Sequence, residues 1–364
     1  MRKSISPQIV VGLSGGIDSA VALLLLKKQG WSPVGLSFRL PVWEGSRNSP
    51  TENPYCTEES LRVAQQICQQ LKVPYFIQDA RQKFSQIVVA YFLQEIKHHR
   101  TPNPCMICNR YFKIKELLHW AKQHQIKYVA TGHYARIKYN PKTAQYELFR
   151  ARDKSKDQTY NLALLTQRQL RHLIFPLGNL YKKDVYKLAQ QQGWKKLILK
   201  RQSQDFCFVS GKSLPNFLSQ NIPSTPGPII NSEGKIIGKH QGLPLYTIGQ
   251  RKGLNLPQGP FYVRGFLPSQ NTLIVTKNIK DLYHQKIVVY PYHLISGDIL
   301  KKSMKVRIKI RAQQKLTQGV IKPIGKTKIE VQFSKPVLSP TPGQFAVFYQ
   351  KDKCLGGGVI RLIL

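Results

Sequence analysis

The sequence predicts an α/β protein: an N-terminal doubly wound parallel sheet, then a small mainly-β central part and a C-terminal β-barrel. Three observations carry this expectation. Short apolar runs alternate with helical stretches as far as Thr131. Beyond about residue 205, Pro and Gly punctuate short β-like runs. From about residue 285 onward, apolar residues alternate at period two. Strand–helix alternation is the mark of a doubly wound parallel sheet, and short alternating runs are the mark of a barrel or sandwich. The expected boundaries are 1–205, 206–280 and 281–364.

Residues 8–13 form a short apolar run that ends in Gly-Ser and read as a buried parallel strand. Ser19–Gln29 reads as a helix, with Gly30 suited to its C-terminal cap. A strand is expected over Val34–Leu40. Glu58–Leu71 places Leu61, Ala64, Ile67, Cys68 and Leu71 on one helical face, and a strand follows at Val73–Ile77. Further helices are expected over Phe84–Ile96 and Tyr111–His124, separated by a Pro-rich ordered loop that begins at His98, with a strand at Tyr128–Thr131. The later β runs start near Gly227, Gly234, Phe261, Thr272, Lys286, Lys305, Lys328 and Gln344.

Lys and Arg number 56 against 18 Asp and Glu, a formal charge of +38 that favours polyanionic partners, nucleic acid first among them. The basic residues are spread along the whole chain, so charge alone does not say which nucleic acid. The longest apolar stretch, Ala20–Leu26, is too short to span a bilayer, and no apolar segment of a secretory signal precedes the first strand. A cytoplasmic protein is the expectation. Six cysteines in a chain of 364 residues do not suggest a disulfide framework. Cys68 and Cys354 read as core residues, and Cys56 lies in a loop without an assigned role. No H-x-E or H-E-x-x-H pattern supports a zinc deaminase or protease.

Gly12-Leu13-Ser14-Gly15-Gly16-Ile17-Asp18-Ser19 sits between the first strand and the first helix. Glycines there allow backbone amides to converge on an anion, and the helix dipole favours negative charge at that end. The lysine of a Walker loop is absent. Asp18 beside a phosphate would repel it unless it holds Mg²⁺ or caps the helix. A plain strand-to-helix turn is the competing reading, outweighed by the complete hexad from Ser14 to Ser19. The hexad resembles the S-G-G-x-D-S loop of the PP-loop ATP pyrophosphatases, which cleave ATP between the α- and β-phosphates and adenylate an oxygen. Several activities remain open at that level, amidotransfer and lysidine formation among them.

Cys105 and Cys108 lie three apart within Thr101-Pro-Asn-Pro-Cys-Met-Ile-Cys-Asn109, and Cys207 stands in Asp205-Phe-Cys-Phe-Val209. A helix N-terminus and cations such as Arg100 and Arg110 are expected to lower a thiol pKa there. By sequence alone, redox, metal-binding and packed, inert cysteines all remain open. With these segments, the chain as a whole resembles the tRNA-specific 2-thiouridylase (MnmA/TrmU) family. The likeness takes in Gly12–Ser19, Thr101–Pro104 with Cys108-Asn109, Ala130–Arg136, Lys156–Tyr160, Phe175–Gly178, Cys207-Phe208, Tyr246–Gly253, Thr341–Gln344 and Gly356–Gly358.

The resemblance implies ATP-dependent 2-thiolation of the wobble uridine of tRNA. By it, Gly12 through Ser19 and the backbone of Phe38 hold ATP and Mg²⁺, with Gly132 beside the adenosine. Asn103, Pro104 and Cys105 meet the target base. Cys108 is the nucleophile and Cys207 carries a persulfide. His133, Lys156, Asp157, Gln158, Arg311, Ala312 and Gln344 contact tRNA. The implied partners are tRNA and a persulfide sulfur donor protein, with the enzyme a monomer that has no membrane association. One departure is that Cys105 stands where many family members have Asp, and a thiol does not replace a carboxylate as a proton shuttle. A minority alternative puts Cys105, Cys108 and Cys207 on a [4Fe–4S] cluster with one open iron. A non-catalytic RNA-binding protein that retains a degenerate nucleotide fold is the reading of a different class.

Overall fold

The computed structural model describes residues 6–41, 43, 57–199, 206–209 and 213–364. Cys56 and Asp205 lie outside the described residues. The first part of the chain runs β1 (Gln8–Gly12), α1 (Ile17–Lys28), β2 (Ser32–Arg39), α2 (Glu58–Gln70), β3 (Tyr75–Asp79), α3 (81–97) and α4 (104–123). It continues with β4 (Tyr128–Thr131), β5 (Ala135–Asn140), β6 (Gln145–Arg150), β7 (Leu173–Ile174) and α5 (Lys182–Gln191). Five of these strands form a parallel sheet in the order β3-β2-β1-β4-β7. Ile9, Val10 and Val11 of the central strand are wholly buried because helices cover both faces. Strand order reverses between β1 and β4, and the crevice outside the carboxyl ends there is the usual ligand site of such sheets.

α1 is enclosed almost all round: Ile17, Ala20–Leu24 and Leu26 are buried, and Val185, Ala189 and Trp194 close over it from the α5 side. α2 is amphipathic as its periodicity predicts, burying Leu61, Ala64, Ile67 and Cys68, and Thr57 caps it by accepting the Ser60 N–H at 3.2 Å. α3 and α4 each contain one π-helical turn, at Ser85–Val89 and Cys108–Lys113. The expected break before Tyr111 is absent, because α4 already begins at Pro104. Asn103 accepts the Met106 N–H at 3.3 Å as its cap, and Pro104 occupies the first helical position, where no amide partner is needed. The prolines therefore mark a helix start rather than a long loop.

The middle of the chain carries α6 (Leu214–Asn221) and a four-stranded sheet of β8 (Gly227–Ile230), β9 (Ile236–His240), β10 (Tyr262–Leu267) and β11 (Thr272–Thr276). Then come β12 (Tyr283–Leu294), β13 (Met304–Lys309), β14 (Thr317–Pro323), β15 (Ile329–Leu338), β16 (Phe345–Gln350) and β17 (Lys353–Ile363). β12 pairs with both β15 and β17, which closes a six-stranded barrel around Ile287, Val306, Ile321, Val331, Phe333 and Phe348. The α/β fold with its C-terminal barrel is thus as expected.

The β5–β6 hairpin, β14 and β17 are not among the sequence expectations. The hairpin extends the barrel sheet from the first domain, with Leu148 opposite Cys354. β17 is concealed by its glycines, which the closure requires: a Cβ on Gly356 (φ +136°) would lie 2.1 Å from the His293 carbonyl oxygen. Among the described residues no helix is long and apolar enough to cross a membrane.

Candidate active site

The segment from Gly12 to Ser19 leaves β1 at the point where strand order reverses. Gly16 stands at the N-cap of α1 in extended conformation without a side-chain cap. Ser19 folds the loop back on itself: its hydroxyl accepts the Ser14 N–H at 3.2 Å and donates to the Gly16 carbonyl at 3.0 Å. Leu13 is pinned to β2 through its N–H on the Leu36 carbonyl at 2.8 Å and its carbonyl under the Ser37 hydroxyl at 2.9 Å. Gly15 has φ +68°, and a Cβ there would lie 2.3 Å from the Ser60 carbonyl oxygen, so the start of α2 presses against the loop. From the other side Gly132 packs on the loop backbone, where a Cβ would be 2.7 Å from the Asp18 carbonyl carbon and the Ser19 nitrogen. Phe38 lies one residue before the end of β2, the strand to which Leu13 is bonded. The residues expected to hold the nucleotide therefore share the carboxyl end of one sheet.

Asp18 is engaged. Its Oδ1 accepts the Tyr134 hydroxyl at 2.8 Å and the Lys182 ammonium at 2.6 Å, while a third of the side chain stays accessible. Neither Tyr134 nor Lys182 is a sequence expectation.

Cys105 and Cys108 occupy the start of α4 and its π-turn. Cys105 keeps solvent access, and Cys108 is buried. Burial pushes the Cys105 thiol above its usual range and the Cys108 thiol up to about 11. This corrects the expectation of a lowered thiol pKa: desolvation outweighs the nearby cation. That cation is also not one of those expected. Arg100 is tied to Glu95 at 3.2 Å, and Arg110 lies over the Tyr111 ring at 4.9 Å. Instead the charge of Lys113 partly offsets burial at both thiols, and its backbone N–H donates to the Cys108 sulfur. Residues five apart diverge on an α-helix, and the π-turn brings them back to one face.

Phe rings bring the third thiol in. Phe38 meets Phe112 at 5.5 Å, Phe112 meets Phe84 at 5.1 Å, and Phe84 meets Phe208 at 6.0 Å. Phe206 and Phe208, on either side of Cys207, also pack on Phe92 at 5.2 and 5.4 Å. Cys108 and Cys207 consequently belong to one apolar cluster, which reaches the carboxyl end of β2. Among the described residues, no three His, Cys, Asp or Glu side chains converge as a metal-binding group, so the three-thiolate arrangement that a [4Fe–4S] cluster needs is not assembled.

The residues expected at the tRNA divide into two sets. His133 lies at the end of β4 with Nδ1 2.7 Å from the Thr131 hydroxyl, and burial holds its pKa down to about 3, with Lys113 adding to the effect. Burial thus favours the neutral form of its imidazole. Lys156 is half-buried, and the Ala312 carbonyl accepts the Lys309 ammonium at 2.8 Å. Asp157, Gln158, Arg311 and Gln344 are occupied with the fold itself. The buried carboxylate of Asp157 meets Arg150 at 3.0 Å and accepts the Thr159 hydroxyl. Gln158 accepts the Tyr134 N–H at 2.9 Å. Arg311 donates to the Ser339 carbonyl and the Thr341 hydroxyl at 3.0 and 2.9 Å. The Gln344 amide donates to the carbonyls of Thr101 and Pro102 at 3.0 and 3.3 Å, so the barrel holds the segment that leads into Asn103, Pro104 and Cys105.

Fold and site together describe a nucleotide-binding α/β domain with two thiols in an apolar cluster that Phe38 of β2 packs against. Residues 7–211 match the family model described as a tRNA methyl transferase HUP domain, 215–277 the matching PRC-barrel domain, and 284–360 an aminomethyltransferase beta-barrel domain. The chain is 38% identical over 360 residues to tRNA-specific 2-thiouridylase MnmA 2 of Thermoanaerobacter sp. (strain X514), covering 98% of each. It is 36% identical to the MnmA of Natranaerobius thermophilus, covering 98% of this chain and 97% of that one. The chain belongs to the tRNA-specific 2-thiouridylase family. Among solved structures it overlaps the U34-tRNA thiolase NcsA from Methanococcus maripaludis with its [4Fe-4S] cluster. That overlap has 20% identity and a TM-score of 0.34 over 60% of this chain and 66% of that one.

Proposed function

We propose that this protein is a tRNA sulfurtransferase that uses ATP to convert the wobble uridine of tRNA to 2-thiouridine. The observation that carries this reading is the placing of Cys108 and Cys207 in one apolar cluster that adjoins the carboxyl end of the sheet, where the loop from Gly12 to Ser19 lies. A methyl transfer, which the descriptions of the domain models name, has no use for an adenylating loop or for two thiols. Amidotransfer and lysidine formation need the loop but no sulfur relay.

The uridine C2 carbonyl is a poor electrophile. Transfer of AMP from ATP to its oxygen, with release of pyrophosphate, turns that oxygen into a leaving group. The terminal sulfur of a persulfide on Cys207 attacks C2, and AMP departs with the oxygen. Cys108 then attacks the S–S bond at the Cys207 sulfur. The thiolated base leaves with the electron pair, and a Cys108–Cys207 disulfide remains for an external thiol reductant. The persulfide comes from a sulfur donor protein. Two thiols suffice, and no proton transfer is assigned to Cys105.

Backbone amides of the loop and the N-terminus of α1 receive the phosphates. Asp18 is the carboxylate available to Mg²⁺, which would neutralise charge on the leaving pyrophosphate. His133 and half-buried Lys156 are assigned to tRNA contact through the family resemblance. The reading is tested by mass spectrometry of tRNA from cells that lack this protein and have no second thiolase. 2-Thiouridine should vanish, return with the wild-type chain, and stay absent with Cys108→Ser or Cys207→Ser. Persistence of the thiolated base in the deleted strain rejects the assignment. Iron and sulfide retained by active protein from an anaerobic preparation would replace the persulfide with a cluster.

A further inference from the structure

We propose that Lys182 is the phosphate-binding cation of this site, held by Asp18 until ATP displaces the carboxylate. The inference rests on the nucleotide reading of the loop. The loop contains no lysine of its own between Gly12 and Ser19. Lys182 reaches it from a helix 164 residues further along the chain, with its ammonium 2.6 Å from Asp18 Oδ1. Its root is fixed, because the Lys182 backbone N–H donates to Asp153 Oδ2 at 3.0 Å. The side chain is only 8% exposed, and its ammonium lies 5.7 and 5.0 Å from the ring centres of Tyr134 and Tyr186.

This placement is costly for a purely structural residue. Lys182 stands in the first turn of α5, where the helix dipole disfavours a cation, and burial disfavours its charged form. Asp18 opposes that effect, and the charge of Lys156 adds to it, so two cations gather at the mouth of the loop. A carboxylate in the loop would repel an incoming triphosphate. Moving one ammonium from Asp18 to the phosphate oxygens removes the repulsion and leaves Asp18 for the divalent cation that accompanies ATP. The fixed backbone of Lys182 and the mobility of its four-carbon side chain allow the exchange without movement of α5.

The test is equilibrium binding of ATP, inorganic pyrophosphate and AMP to the full chain. Lys182→Met should weaken ATP and pyrophosphate by about 10- to 100-fold, the range for a lost charge-assisted contact. AMP should change by less than about 2-fold, and Lys182→Arg should recover most of the loss. In metal-free buffer Asp18→Asn, which releases the ammonium, should bind pyrophosphate more tightly than the wild type. The double variant should lose that gain. Equal loss of AMP in Lys182→Met, or a double variant that binds pyrophosphate as well as Asp18→Asn, overturns the proposal. A wild-type protein that binds neither ATP nor pyrophosphate would instead reject the nucleotide reading itself.

Discussion

At Cys108, two forces that act on a thiol compete, and burial prevails. The sequence shows a thiol near arginines at a helix start, which points to an easily formed thiolate. The folded site removes Cys108 from water, sends both arginines elsewhere and leaves Lys113 to compensate in part. With its pKa at about 11, the group is a thiol at neutral pH, and each pH unit below that value lowers the thiolate fraction tenfold. Alkylation of Cys108 by iodoacetamide, followed by peptide mass spectrometry, should therefore rise about tenfold per pH unit from 7 to 9 without a plateau. A plateau near neutrality would mean that cations, not burial, govern this thiol. Cys68 is likewise raised, to about 12, by burial in the packing of α2 and is not expected to react in the folded chain.

Among the elements, the loop after β1 depends on two glycine contacts for its shape. Gly132 ends the neighbouring strand so close to Asp18 and Ser19 that a methyl group would displace the start of α1. Gly132→Ala should cost about 1–3 kcal/mol, the usual range for overpacking. ATP affinity should fall more than tRNA affinity, since the barrel is untouched. Thermal melting and nucleotide titration check this, and unchanged ATP binding would show that the loop tolerates the shift. The π-turn of α4 has a comparable part in the site, because it sets Lys113 beside Cys108. Helical periodicity places a residue at i+5 on another face, so Lys113 could not be picked out from its spacing.

Across the whole molecule, the barrel and the α/β domain are tied at the segment that carries the thiols. Glu95 of α3 is buried and accepts Arg361 of β17 at 2.9 Å and Arg100 at 3.2 Å. Close by, Gln344 holds the Thr101 and Pro102 carbonyls. Glu95→Ala leaves two arginine partners uncompensated, one of them mostly buried, and should cost about 3 kcal/mol or more. The expected result is a lower melting temperature together with weaker uridine thiolation, even though Glu95 touches no reactant. A melting curve like that of the wild type would remove this tie from the account. The +38 charge also acts at this scale. tRNA binding should weaken steeply with salt, the logarithm of the association constant falling linearly with the logarithm of salt concentration as counterions are released. A flat salt dependence would show that the basic surface does not meet the RNA backbone.

Much of this was legible in the residues alone. The apolar run before Gly12, the amphipathic face of α2 and the period-two stretches after about residue 285 identify layers, because burial acts directly on side-chain periodicity. The loop hexad identifies an anion-binding turn, because glycines and a helix start can cradle phosphate, whereas the cysteines took on a sulfur-transfer role only through the resemblance to the 2-thiouridylases. Contacts between distant parts of the chain were not legible. The Asp18–Lys182 pair, the Phe rings around Cys207, the Gln344 hold on Thr101 and Pro102 and the β5–β6 hairpin on the barrel each join distant segments. Spacing in a sequence carries no information about such pairs, so the sequence by itself determined the fold class and, through its family resemblance, the kind of reaction. Only tertiary packing decided that burial raises the Cys108 thiol, which lysine faces the loop and which side chains bond within the scaffold, because desolvation and long-range pairing arise only once the chain has folded.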